Sequence, residues 1–192
     1  MITFTFSVMG AGKSSKLIES YNIERSLWGS DVIACTAHFD DIIDDNRLII
    51  TRAHNETVKS DFVITPSFDL EKLKEYKTIF IDEAHFLTPS AVRFLYSLNK
   101  TSDWLHNHIE CYGLLTDFQN NLFAGSQALL YYANNLIRLS SKCEYCNRQA
   151  THNIRLVNDK RVFDGNQFVL KTEDHITYKG VCQDCFERVM YK

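Results

Sequence analysis

The stretch ITFTFSVMGAGKSSKL, residues 2–17, changes character in its middle. Ile2 to Val8 reads as a strand, rich in β-branched and aromatic residues, with Phe4 and Phe6 on one face of a period-two pattern. Met9, Gly10, Ala11, Gly12, Lys13, Ser14 and Ser15 then lead into a segment, Lys13 to Trp28, whose apolar positions Leu17, Ile18, Tyr21 and Trp28 have helical spacing and which stops at Gly29. A strand, a glycine-rich turn ending in Gly-Lys-Ser and a helix make a cradle for phosphate groups. Glycines let the backbone close around the oxygens, and N–H groups at the helix start point at them. Lys13 is placed to reach the β- and γ-phosphates of a nucleotide, and the Ser14 hydroxyl to bind magnesium. The full pattern has one more glycine, at the place Ser7 occupies here.

Outward from this loop, strand and helix signals alternate. Val32 to Cys35, Leu48 to Ile50, Phe62 to Thr65, Lys77 to Ile81 and Ile109 to Leu114 read as strands, and Pro89 to Asn99 as a helix with proline in its first turn. His38 to Asn46, rich in aspartate, reads as loop. The pattern predicts an α/β fold, a P-loop (RecA-like), mostly parallel sheet flanked by helices, over residues 1–140. From Cys143 the texture changes to short strands and turns, which predicts a second, zinc-binding unit over residues 141–192.

The run IFIDEAHFL, residues 79–87, contains the D-E-A-H letters of a helicase class. That class needs two motor lobes, and this chain has room for one. Read in place, Asp82 and Glu83 end an apolar strand, where an acidic residue comes beside the phosphate loop. Asp82 is the candidate magnesium ligand, and Glu83, pointing differently, the candidate proton acceptor for an attacking hydroxyl.

Cys143-x-x-Cys146 and Cys182-x-x-Cys185 are two knuckles that together offer four thiolates to one tetrahedral zinc ion. A closed four-cysteine shell leaves no position for water, so the metal is expected to be structural. Cys35 and Cys111 lie in apolar strands and are expected in the core.

Composition agrees with an intracellular globular protein. Of 192 residues 45% are hydrophobic and 12% aromatic, enough for a sizeable core. Net charge is −3, with 21 basic and 24 acidic residues and no basic stripe, so nucleic acid is not an expected partner. No run is long enough to span a membrane and the start has no leader pattern, which predicts a cytoplasmic location.

The phosphate loop with Met9, the strand IFIDEAHFL, the segment YGLLTDFQNNLFAGSQALL at 112–130, CEYCNRQATHNIRLV at the first cysteine pair and YKGVCQDC at the second fall in one order along the chain. In that order they resemble the zinc-containing, cellular-type thymidine kinases. The resemblance implies transfer of the γ-phosphoryl group of ATP to the 5′-hydroxyl of thymidine with magnesium, Glu83 acting as base. It implies a nucleoside pocket of Met9, Phe86, Leu114, Phe118, Phe123 and Tyr178, with Phe118 stacked on the base. It also implies a lid, about Val169 to Tyr178 and so including Leu170, Lys171 and Thr172, whose backbone reads the base edge. Feedback inhibition by thymidine triphosphate and a homotetramer are implied too.

Three positions depart from the family. Ile42 or Ile43 stands where an arginine near the transferred phosphate is usual, with Asp40 or Asp41 keeping the acidic neighbour and Arg52 the nearest replacement. The lid stretch VLKTEDHITY lacks the usual glycines. His85 stands where glutamine is common, and beside Phe86 it reads as a supporting residue.

Overall fold

The computed structural model describes residues 1–40, 48–50, 57–98, 108–167 and 175–188. Strand β1 (Ile2–Phe6) runs into the glycine turn and helix α1 (Lys13–Trp28); then follow β2 (Val32–Ala37), β3 (Leu48–Ile50), β4 (Thr57–Lys59), β5 (Phe62–Ile64) and β6 (Thr78–Asp82). Helix α2 (Pro89–Leu98), β7 (His108–Gly113), α3 (Ala124–Tyr132) and β8 (Asn135–Arg138) complete the larger unit. Six of these strands form one sheet in the order β5-β2-β6-β7-β1-β8, every neighbouring pair parallel.

The sheet is covered on both faces, which is why β2 and β6 are buried along nearly their whole length. Alternation along β2 and β6 sorts the residues. Ile33, Cys35, Ile79 and Ile81 face one core with Ala91, Val92 and Leu95 of α2 and Leu129 of α3, whereas Val32, Ala34 and Phe80 face another with Leu17 and Ile18 of α1. The Thr88 hydroxyl accepts the Ala91 N–H and caps α2, whose first residue is the proline. Cys35 and Cys111 are fully buried, as expected.

One expectation is corrected. Trp28, assigned to the apolar stripe of α1, is 58% exposed: it is the last residue of the helix, where Gly29 turns the chain at φ 58°. The strand Leu48–Ile50 exists but stays outside the main sheet, pairing antiparallel with β4 in a two-stranded ribbon where only Ile49 is buried.

Beyond residue 140 a three-stranded antiparallel sheet, β10-β9-β11, forms from β9 (His152–Val157), β10 (Lys160–Val162) and β11 (Ile176–Val181), followed by the short α4 (Gln183–Arg188). Along β9 the alternation again divides labour. Ile154 and Leu156 pack with Cys143, Val181 and Cys182 in a small separate core, and Asn153 and Arg155, both 3% exposed, face the opposite way.

Candidate active site

The turn after β1 is built by two glycines in the left-handed region, Gly10 at φ 75° and Gly12 at φ 79°, where a side chain would be strained. Residues Met9 to Ser15, with Thr36, Leu48, Ile50, Asp82 and Glu83, line a cavity of about 450 Å³ at the head of α1. Lys13 is buried and its Nζ donates to the Val8 carbonyl oxygen at 2.9 Å, so the ammonium is curled over the loop it has to serve.

Across the cavity, the Ser14 hydroxyl donates to Asp82 Oδ2 at 2.9 Å, and the Glu83 N–H donates to Asp82 Oδ1 at 3.0 Å. Burial pushes the Asp82 carboxyl above its ordinary range, while Ser14, the Glu83 amide and Lys13 pull the other way. A buried carboxylate beside a hydroxyl suits a hard cation, which would relieve that burial. Glu83 leaves the strand with φ 52°, a left-handed conformation that costs a non-glycine residue energy. Its side chain lines the cavity and is 45% exposed.

A second cavity, about 280 Å³, adjoins the first. All six residues assigned to a nucleoside pocket line it: Met9, Phe86, Leu114, Phe118, Phe123 and Tyr178. Met9, Thr36 and Glu83 belong to both cavities, so Glu83 stands at the junction. His85 braces the wall: its ring meets Phe123 at 4.4 Å and Phe86 at 4.0 Å between centroids, and its Nδ1 accepts the Leu114 N–H at 3.3 Å. That bond puts the ring proton on Nε2, so the 3.4 Å approach of Glu83 Oε2 to Nδ1 is no ion pair. Burial, and then the Lys13 charge, push His85 down to about 3.

Several contributors escaped the reading of the sequence. Phe39, 5.4 Å from Phe86 between ring centroids, closes one side of the second cavity. Asp117 ties its own turn, accepting the N–H groups of Gln119 and Asn121 at 2.9 and 2.8 Å and the Gln167 amide at 3.2 Å. Arg155 lies with its guanidinium 3.7 Å from the Phe118 ring centre, donates to the Tyr178 hydroxyl at 3.0 Å and to the carbonyls of Asn166 and Gln167 at 2.6 and 3.2 Å. It backs two of the pocket's aromatic side chains with a buried cation. The signal was there: Asn153 and Arg155 are polar residues two apart among apolar neighbours, the mark of a strand face turned toward something polar. Val169, Leu170, Lys171, Thr172, Asp41, Ile42, Ile43 and Arg52 lie outside the described residues.

The sulfur atoms of Cys143, Cys146, Cys182 and Cys185 all lie within 4.8 Å of one another, with Cys146 Sγ 3.5 Å from Cys182 Sγ and 3.6 Å from Cys185 Sγ. Those separations are far beyond a disulfide bond, and close to the ~3.8 Å edge of a tetrahedron with zinc–sulfur bonds of about 2.3 Å. The four could hold a metal such as zinc. The Arg148 N–H and guanidinium favour the Cys146 thiolate, pushing that thiol down to about 6.

Fold and site together put the chain in the P-loop class of α/β proteins, with an aromatic cavity opening directly off the phosphate cradle. Within that class it belongs to the thymidine kinase family, whose profile matches residues 1–186. It is 34% identical over 191 residues to a thymidine kinase of Blochmanniella floridana, covering 96% of each chain. A thymidine kinase of Pasteurella multocida is 36% identical over 189 residues (94% of this chain, 93% of the relative), and one of Streptococcus thermophilus is 32% identical over 184 (94% and 90%). Among solved structures, the Pif1 helicase from Candida albicans overlaps 72% of this chain and 35% of its own at a TM-score of 0.41 and 17% identity, too slight a likeness to bear on fold or function. No described helix is long and apolar enough to cross a membrane.

Proposed function

We propose that this kinase transfers the γ-phosphoryl group of ATP to the 5′-hydroxyl of thymidine, binding the nucleotide in the larger cavity and the nucleoside in the aromatic one. The observation that carries this is the shared wall: Glu83, with Met9 and Thr36, lines both cavities, so a hydroxyl in one can meet a phosphate in the other. The loop from Met9 to Ser15 supplies amides to the phosphates, and Lys13 leaves the Val8 carbonyl to neutralise them. Asp82 and Ser14 would hold magnesium, whose charge offsets that of the phosphates. Glu83 orients the hydroxyl and takes its proton, while the stacked face of Phe118, with Phe86 and Phe123, holds the base. Transfer through a loose transition state asks for positioning and charge neutralisation, which is what this arrangement offers.

The same reading makes the four-cysteine site a structural zinc centre at the two ends of the lid, with Val169 to Tyr178 reading the base edge. It extends to feedback inhibition by thymidine triphosphate, a homotetramer and a cytoplasmic setting. A transfer assay with γ-labelled ATP, magnesium and a panel of nucleosides tests it. Label in thymidine monophosphate is the expected result; ATP hydrolysis indifferent to thymidine would overturn the reading.

A further inference from the structure

The stem of the phosphate loop is gripped from outside the main sheet. Asn153 of β9 is paired across the small sheet with Gly180 of β11, and the two residues meet Val8 and Met9 together. Asn153 Oδ1 accepts the Met9 N–H at 2.8 Å, and its Nδ2 donates to the Thr116 carbonyl oxygen at 3.0 Å. Gly180 lies so close that a Cβ there would stand 2.6 Å from Val8 Cγ2 and 3.3 Å from the Met9 carbonyl oxygen. The Gly180 carbonyl in turn accepts the N–H of Glu144, inside the first cysteine knuckle.

Met9 opens the phosphate loop and lines both cavities. Thr116 directly precedes Asp117 and Phe118 in the wall of the aromatic cavity. One carboxamide, itself in the wall of the aromatic cavity, therefore ties the phosphate-loop stem through its acceptor to the Thr116 segment through its donor, and at 3% exposure both bonds are largely shielded from bulk water. We infer that Asn153 is a positioning residue that makes nucleotide and nucleoside binding interdependent, by holding the phosphate-loop stem and the Thr116 segment in one geometry. The inference rests on the assignment of the two cavities proposed above. A ligand that orders one segment orders the other through Asn153, so the second ligand meets a site already set.

The test is calorimetric titration of the metal-loaded protein with thymidine, alone and with a non-hydrolysable ATP analogue and magnesium. In the wild type the analogue is expected to tighten thymidine binding by about fivefold or more, and thymidine to tighten the analogue by the same factor, as linkage requires. In Asn153→Ala that factor falls to near one, while thymidine alone still binds. Asn153→Asp decides the matter if the alanine variant does not fold. It keeps an acceptor for the Met9 N–H, turns an oxygen toward the Thr116 carbonyl in place of the donor, and is expected to lose the coupling too. Kinetically, the thymidine KM of Asn153→Asp should stop depending on ATP concentration. A variant that weakens both ligands yet keeps the wild-type coupling factor would show a structural role only and overturn the inference. A wild type that binds both ligands independently would also overturn it, leaving the assignment of the cavities intact. Failure to bind either ligand would remove that assignment along with it.

Discussion

Glu83 combines the exposure and the backbone strain that a reacting group tolerates and a packing residue does not. Glu83→Gln keeps the size and the left-handed turn but cannot take a proton. We expect turnover to fall roughly 100-fold or more, in the range general bases contribute, with nucleotide affinity and melting temperature near wild type. Unchanged turnover would remove Glu83 from its role. His85 makes a different kind of statement. Its native pKa of about 3 lies below the ordinary 6.5, so between those values the unfolded chain binds a proton that the folded one refuses. The stability linked to His85 is complete above pH 6.5 and is lost as pH falls toward 3. Glutamine fills much of the same space without titrating. Urea unfolding at pH 7 and pH 5 should show the wild type losing about 2 kcal/mol more than His85→Gln over that interval.

At the scale of elements, the core of the small sheet is built partly from the cysteines of the proposed zinc site, whereas the large sheet has its own two cores. Chelating the metal is therefore expected to raise hydrogen exchange in β9, β10 and β11 while β1, β6 and β7 stay protected. Simultaneous loss of protection in both sheets would contradict that. The order of elements was legible where period and punctuation agreed. Lys13–Trp28 came out to the residue because a glycine turn opens it and Gly29 closes it. The ends of β6 and β7 shifted by a residue, since apolar runs carry no mark of where pairing stops. Helix α3 and strand β8 were not resolved from the run Ala124 to Arg138, whose apolar residues are too evenly spread to show a helical stripe. Residues at the site were legible in proportion to how local their chemistry is. Lys13, Ser14, Asp82 and the four cysteines follow from spacing within short motifs. Phe39 acts through contacts that no short-range pattern encodes, and for Asn153 and Arg155 the alternation along β9 marks a polar face without naming the partners it meets.

Over the whole molecule, the large apolar side chains exposed among the described residues include Ile23, Leu27 and Trp28 on α1, Tyr131 on α3, and Leu136 and Ile137 on the edge strand β8. An assembly would cover them. Sedimentation equilibrium is expected to give about four times the 22.3 kDa chain mass, as the proposed homotetramer requires, and a concentration-independent monomer would refute it.

The cysteines divide the same molecule in another way. Cys35 and Cys111, one strand apart on either side of Ile81, are sealed in the large core, and burial pushes both thiols well above their ordinary range. Neither is open to a water-borne disulfide reagent while the sheet is intact. Zinc in the proposed four-cysteine site would keep the knuckle thiols from the reagent until it is chelated. A colorimetric thiol titration during chelation and then denaturant should therefore release colour in two waves, four equivalents and then two. The protein thus carries a built-in clock with separate hands for its four-cysteine site and its core, readable in unmodified wild-type material.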